Sequence, residues 1–353
     1  MTKNHMKKLT NKLTSKLRPS KQPVEPEVPS RITNDTVAEH REQILAGGRK
    51  FKYPVQYAKY KLVINSLLIG LGAIALLAVV CWYLLYSAQS SSKLMYRLTQ
   101  LVPVPVAKVD GETVRYSEYL KKYRSDIFAL VQQEQINLKS PDGKKQSEYY
   151  KRKELDNAVY NAYVGKLARE KKLSVTRLEI DNYITSTVNT KSISLEAYEK
   201  TVLRNYFDWS LDEYRDVVRD ELLARKVGFA VDSAAKKRAD DIVKRASAGD
   251  FVAIAKAESD DLATKAVGGD VGALPIESQD VNGIIAAAKR MKEGQVSSPI
   301  QGVDGYFVIK LVKKTETTVQ YSQIKVNLTE LEKRFAAVQK AGKVKEYIKV
   351  EKG

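Results

Sequence analysis

From Leu62 to Ser92 the chain carries no charged residue, and within that stretch Val63 to Tyr86 reads VINSLLIGLGAIALLAVVCWYLLY, 24 mostly apolar residues. As a helix this run rises about 36 Å, enough to cross a bilayer with some tilt. Trp82, Tyr83 and Tyr86 gather at its C-terminal end, where aromatic rings suit the headgroup level. Arg49, Lys50, Lys52, Lys59 and Lys61 crowd the N-terminal flank, whereas only Lys93 and Arg97 follow closely on the other side. The positive-inside bias therefore predicts a cytoplasmic N-terminus and an extracytoplasmic C-terminal region in the cell membrane. About 60 residues precede the run and no clear small-residue cleavage site follows it, so an uncleaved single-pass anchor is expected, with the lipid bilayer as a partner.

The anchor also accounts for the charge. Of the formal net charge of +18, half lies in residues 1–61, which hold 14 Lys/Arg against 5 Asp/Glu. Met6, Leu9, Leu13 and Leu17 recur at helical spacing among lysines there, a pattern compatible with an anionic inner leaflet or with a solvated tail. PVEPEVPS, residues 23 to 30, is a proline-spaced linker. No aromatic-rich basic motif accompanies the charge, so no nucleic-acid partner is expected. Chemistry is narrowed as well: Cys81 is the only cysteine, and His5 and His40 are the only histidines. Everything after residue 40 lacks an imidazole, which removes His-dependent triads and most zinc sites from the bulk of the chain. No metal and no cofactor are expected.

Beyond the apolar run, VAKVDGETV (106–114) alternates around an Asp110-Gly111 turn as a hairpin. Ser117 is expected to cap a helix with the stripe Leu120, Tyr123, Ile127 and Val131, closed by a loop at Ser140-Pro141-Asp142-Gly143. Leu155, Val159, Tyr163 and Leu167 mark the next helix, ending near Lys171-Lys172. Thr176/Glu179 and Ser210/Glu213 have capping-box spacing, each opening a further helix. After Asp232-Ser233 a helix runs to about Ser247, and Phe251, Ile254 and Ala255 belong to another. GGDVGALP (268–275) reads as irregular, 281–292 as helix, 296–300 and 306–312 as a hairpin, 319–326 as a third strand, and Thr329 onward as a terminal helix. The expected fold class is α+β: an apolar helix, a helical module, then a small antiparallel sheet with surrounding helices. The division expected is 1–61 basic tail with linker, 62–92 anchor, 93–230 helical module, 231–328 sheet domain and 329–353 C-terminal helix. The part from Lys93 onward is expected to fold without metal or reductant.

The pieces Gly249-Asp250-Phe251, Ala255, Ser259-Asp260-Asp261, Gly268-Gly269-Asp270-Val271-Gly272, Gly294-Gln295-Val296-Ser297, Pro299-Ile300 and Gly305-Tyr306-Phe307-Val308-Ile309-Lys310 occur in order. In that order they resemble the parvulin (PpiC-type) peptidyl-prolyl isomerase domain. VAKVDGETVRYSEYL and the helices after it resemble the N-terminal chaperone module of SurA/PrsA-type secretion foldases. The resemblance implies a foldase or chaperone of the bacterial cell envelope, acting on unfolded or newly exported polypeptides and their proline-containing segments. An isomerase of this kind needs no nucleophile or cofactor. It holds proline in an apolar slot and replaces carbonyl solvation with a polarised hydrogen-bond cluster, lowering a barrier of roughly 18–20 kcal/mol.

Carried over position by position, the resemblance puts the family carboxylate at Asp261 and the hairpin histidine at Phe307. The slot aromatic falls at Ile284 and the slot Met or Leu at Asp280, with Met291 and Tyr306 as further substrate-side residues. Gly268, Gly269 and Gly272 are assigned structural roles. For the first strand two placements stand open: Val227–Val231, or Ser322-Gln323-Ile324-Lys325-Val326 in a circular permutation that puts Gln323 at the other histidine position. Active isomerase, degenerate binding domain and non-catalytic envelope scaffold are the three functions this pattern allows.

Overall fold

The computed structural model describes residues 33–351 apart from 53, 190–192 and 279. The amphipathic pattern at Met6–Leu17 and the linker at 23–30 lie outside the described residues. The chain divides between Leu77 and Ala78. Helix α1 (Asn34–Lys52) belongs to the first unit, and α2 (Pro54–Trp82) begins there and ends in the second. By length and composition α2 suffices to cross a membrane, and none of its apolar window is buried.

The π-helical turn that follows, Tyr83–Ser87, is built into the globular unit. Leu85 is 2% exposed and its carbonyl accepts the Tyr116 hydroxyl at 2.6 Å, while the Tyr86 hydroxyl donates to the Pro105 carbonyl at 2.6 Å. A fragment cut at Lys93 would lose both residues from the core, so the folded unit starts upstream of the boundary that the charge pattern marks.

Around that turn pack α3 (Lys93–Leu101), the hairpin β1 (Pro105–Val109) and β2 (Glu112–Arg115), α4 (Tyr116–Gln132) and α5 (Pro141–Glu170). Asp110 and Gly111 have φ of +46° and +89°, the doubly left-handed pair that a tight hairpin demands. Ser117 is buried inside the first turn of α4, not at its cap; Arg115 holds that place. Ser140 does not close a loop but opens α5: its Oγ accepts the Gly143 amide at 3.1 Å, and Pro141 supplies a preset φ and no orphan N–H. The stripe Leu155, Val159, Tyr163 and Leu167 is buried against Leu120 and Tyr123, as its spacing predicts.

Between α4 and α5 two acids meet. Glu154 is buried beside Asp126, and Lys153 reaches them at 3.1 and 3.5 Å. The Asp126 Oδ2 has no hydrogen-bond partner. Burial, then the charge of Glu154, push the Asp126 carboxyl up to about 7 against the pull of Lys153. A carboxyl raised in the folded state binds its proton more tightly than the unfolded chain does, so this contribution to stability is present at acid pH and fades as pH rises towards 7. Asp126→Asn is expected to raise the melting temperature relative to wild type at pH 8 and to lose that advantage by pH 5. A difference constant with pH would count against the raised carboxyl.

A second helical cluster is formed by α6 (Arg177–Asn189), α7 (Leu195–Tyr198), a π-helical turn at Glu199–Leu203, α8 (Arg204–Phe207) and α9 (Leu211–Val231). Both capping boxes form: Thr176 Oγ1 accepts the Glu179 amide at 3.2 Å, and Ser210 Oγ accepts that of Glu213 at 3.2 Å. Ile180, Ile184 and Val188 close on Leu203 and Val218.

Helices α10 (Ser233–Ala248), α11 (Phe251–Glu258) and α12 (Leu262–Lys265) lead into β3 (Asp270–Pro275), α13 (Ile284–Ala288), β4 (Ile300–Gln301), β5 (Gly305–Lys314) and β6 (Thr318–Asn327). The strands form one antiparallel sheet in the order β3-β6-β5-β4. Tyr306, Val308, Ile324 and Val326 pack on one face against Ala239, Ile242 and Phe251. Phe307, Ile309, Leu311, Val319 and Tyr321 pack on the other against α13. Cover on both faces explains why residues 306–309 are apolar without alternation.

Three readings change here. Residues 268–275 are not irregular: after Gly269 the chain forms β3, with a register irregularity between Asp270 and Ala273 that accommodates Gly272 at φ +78°. The expected helix at 281–292 shrinks to α13, because Gly283 at φ +69° holds its N-cap out of helical geometry. Val227–Val231 is the last turn of α9, not a strand. After β6, α14 (Glu330–Lys340) follows, and the chain then continues through a turn at Gly342 (φ +67°) into β7 (Val344–Glu346), which pairs with β1 in a three-stranded sheet β2-β1-β7. Residues 344–346 thus rejoin the hairpin at 105–115.

Candidate functional site

The site is organised by β6. One edge of this strand is paired with β5 along its length. On the other, the β3 ladder ends at Ser322, and Gln323 N then donates to Gly269 O at 2.8 Å. Beyond that point the backbone groups need other partners. Ser259-Asp260-Asp261 provides them. Ser259 Oγ accepts the Lys325 amide at 3.1 Å, the Asp260 amide donates to Lys325 O at 2.9 Å, and Asp260 Oδ2 accepts the Asn327 amide at 2.9 Å. Arg238 grips the same Asp260 with both terminal nitrogens, at 2.7 and 3.0 Å. The segment that carries the family carboxylate position is also the clamp that completes the sheet edge.

Asp261 caps α12: Oδ1 accepts the Ala263 amide at 3.2 Å, and Oδ2 accepts Thr264 Oγ1 at 2.6 Å and Gln323 Nε2 at 2.7 Å. Burial pushes its carboxyl up, but these donors and the charge of Lys325 outweigh it and hold it below the usual carboxylate range. At neutral pH Asp261 is an ionised acceptor. Thr264 escaped the sequence reading; its place three residues after an Asp N-cap was the signal available.

Register settles which residues share a face. Gln323 lies opposite Ile309 and Lys325 opposite Phe307, and directly paired residues point to one side. Asp261, Gln323 and Phe307 are thus brought to the α13 side of the sheet, with Lys325 Nζ 5.8 Å from the Phe307 ring centroid and 2.6 Å from Asp304 Oδ2. Ile284, Met291 and Phe307 are 3%, 6% and 4% exposed and pack on Ile309 and Leu311. A Cβ on Gly302 would run into the Phe307 ring and lie 2.6 Å from Asn282 Oδ1. The residues carried over as slot positions on this face are thus part of its packed core.

The remaining candidates lie elsewhere. Tyr306 is on the opposite face, its ring centroid 5.0 Å from that of Phe229. Asp280 turns its carboxylate onto the amides of Asn282, Ile284 and Ile285 at 3.0, 2.9 and 2.8 Å, which disposes of the charge that an apolar slot could not take. Gly268, Gly269 and Gly272 have φ of +73°, +85° and +78°. Two adjoining open clefts, of about 770 and 780 Å³, separate α6 and α9 from the sheet lobe. Both are lined by Tyr183, Ser186 and Arg225; Phe229 and Gln301 add to one, and Val281 and Lys289 to the other.

Residues 57–228 match the family model described as a SurA-like N-terminal domain, and residues 228–313 match that of the PPIC-type PPIASE domain. No curated protein matches the chain. Among solved structures, the foldase protein PrsA from Streptococcus pneumoniae is similar at 20% identity, over 54% of this chain and 76% of that one, with a TM-score of 0.18. The two family matches meet at residue 228, inside α9 and just before the helix that leads to the sheet. The chain thus has the parvulin/SurA-like architecture, a SurA-like N-terminal domain joined to a PPIC-type rotamase domain.

Proposed function

We propose that this chain is a membrane-anchored, extracytoplasmic foldase that holds unfolded or newly exported polypeptides, proline-containing segments included, and that its rotamase domain is degenerate. The observation that carries the second half is the Asp261–Gln323 hydrogen bond at 2.7 Å. At the centre of the sheet face a neutral amide satisfies the family carboxylate, Phe307 occupies the other histidine position, and residues after 40 contain no histidine. Such a pair has no titrating group near neutrality and no open apolar slot beside it. Catalysis by a polarised hydrogen-bond cluster needs donors directed at the substrate amide, whereas Gln323 and Thr264 direct theirs at Asp261.

In this reading the domain is circularly permuted: β6, with Gln323, stands in the first-strand place between the strand that begins at Asp270 and the one that carries Phe307. The clefts bordered by Tyr183, Arg225 and Val281 receive the client. The anchor lies within the 28-residue helical span Tyr60–Ser87, ahead of the turn that enters the domain core, and its basic N-terminal flank keeps the tail in the cytoplasm. The working division keeps 231–328 for the rotamase domain and 93–230 for the chaperone module, extended upstream to the turn at Tyr83–Ser87, with 329–353 returning to that module.

The test uses full-length protein in nanodiscs. Wild type is expected to suppress aggregation of an unfolded model protein and to leave proline isomerisation in a protease-coupled peptide assay at the uncatalysed rate. Asp261→Ala is expected to keep the holding activity. A clear isomerisation rate that falls at least about tenfold in Asp261→Ala, roughly 1.4 kcal/mol of barrier, would replace this reading with an active enzyme.

A further inference from the structure

We infer that α3 is an interfacial helix that seats the extracytoplasmic domain on the outer surface of the bilayer; this rests on the anchor reading above. The first observation is the absence of a linker. The π-helical turn that ends the apolar span is part of the domain core through Leu85, Tyr86 and the hydrogen bonds from Tyr116 and to Pro105. A domain fused to its anchor in this way must hold the surface around the exit point at headgroup level. Trp82 and Tyr83, immediately before and in that turn, are exposed, as rings at an interface would be.

The second observation is that α3 is tied to the same turn at both ends. Ahead of it, Ser90 N donates to Leu84 O at 2.8 Å; beyond it, Pro105 O accepts Tyr86 and Val104 O accepts the Tyr116 amide at 2.8 Å. A helix of nine residues spans only about 13 Å, so its outer face stays beside the exit. Its inner face is fixed by buried Met95, Tyr96 and Thr99, with the Tyr96 hydroxyl donating to Glu213 Oε1 at 2.8 Å. Its outer face carries Leu94, 71% exposed, Leu101, 84% exposed, and Val102 just after, interspersed with exposed Lys93 and Arg97. Leucines with cations at i and i+4 on an outward face, at membrane level, match the chemistry of a lipid interface: alkyl side chains enter the acyl boundary while the cations meet phosphates.

The experiment places the environment-sensitive fluorophore NBD at Leu94→Cys or Leu101→Cys in full-length Cys81→Ser protein, reconstituted in phosphatidylcholine–phosphatidylglycerol vesicles that contain doxyl-labelled lipid. Leu262→Cys, as exposed as Leu101 but on the rotamase domain, is the comparison site. Labels at 94 and 101 are expected to be quenched about twofold or more relative to 262, consistent with burial of a few ångströms into the acyl boundary. In a Leu94→Asp/Leu101→Asp protein labelled at Val102→Cys that quenching is expected to disappear, with the melting temperature unchanged. Carbonate extraction reports the anchor separately. Protein that resists extraction yet shows no more quenching at 94 and 101 than at 262 overturns the docking alone; protein released by carbonate overturns the anchor and the docking with it.

Discussion

Replacing Gly269 with valine is expected to lower the stability of the rotamase domain by about 3 kcal/mol, the sum of left-handed strain and a forced displacement of packed backbone. Gly269 has φ +85°, and a Cβ there would fall on the carbonyl oxygen of Gln323 and 3.0 Å from its nitrogen. Its own carbonyl accepts Gln323 N at 2.8 Å and its amide donates to Thr264 O at 2.8 Å. The residue therefore stands where the glycine-rich turn, the Asp261 helix and β6 converge. Gly272 separates the two contributions: φ is +78°, but nothing lies within 4 Å of an added Cβ. Gly272→Val should lose only the conformational part, about 1–2 kcal/mol. Denaturation curves of the two variants decide the matter, and equal losses would remove the steric half of the argument.

What could be read in advance follows from how local each signal is. The two capping boxes, the stripe at Leu155–Leu167 and the Asp110-Gly111 turn depend on residues within a few positions of one another, and each formed as its spacing requires. The glycine-rich stretch was misread because a strand there is specified by its partner: β3 exists through pairing with β6, some fifty positions later, and its irregular register hides the alternation that a period-two reading needs. The same non-locality concealed β7, three residues whose partner β1 lies more than two hundred positions earlier.

At the candidate site, the register of β6 decides the outcome. It brings Gln323 to Asp261 and puts Tyr306 on the opposite face from Phe307, a separation that adjacent positions on a strand impose whatever their chemistry. The capping role of Asp280 could have been anticipated from the charge itself. A carboxylate beside Ile284 and Ile285 must find donors, and the free amides at a helix start are the nearest supply.

Asp232→Ala is expected to cost about 3 kcal/mol, because one carboxylate that is 2% exposed completes the N-termini of two helices. Oδ1 accepts the Ala235 amide at 2.8 Å and caps α10, where the chain enters the rotamase domain; Oδ2 accepts the amides of Thr329 and Glu330 at 2.8 and 3.1 Å, where it leaves for α14. The Thr329 side chain makes no cap of its own. Burial pushes the Asp232 carboxyl up, but the three amides and the charge of Lys333 prevail and hold it below the ordinary value. A depressed carboxyl contributes stability above its unfolded pKa, about 3.9, and loses it as pH falls through the folded value. The melting-temperature gap between wild type and Asp232→Ala should therefore be full at pH 7 and narrow below pH 4. Amide exchange gives the local readout: Ala235, Thr329 and Glu330 should all exchange faster in the variant, since they share one acceptor group. Faster exchange at Ala235 alone would show that α14 is held by something other than this carboxylate.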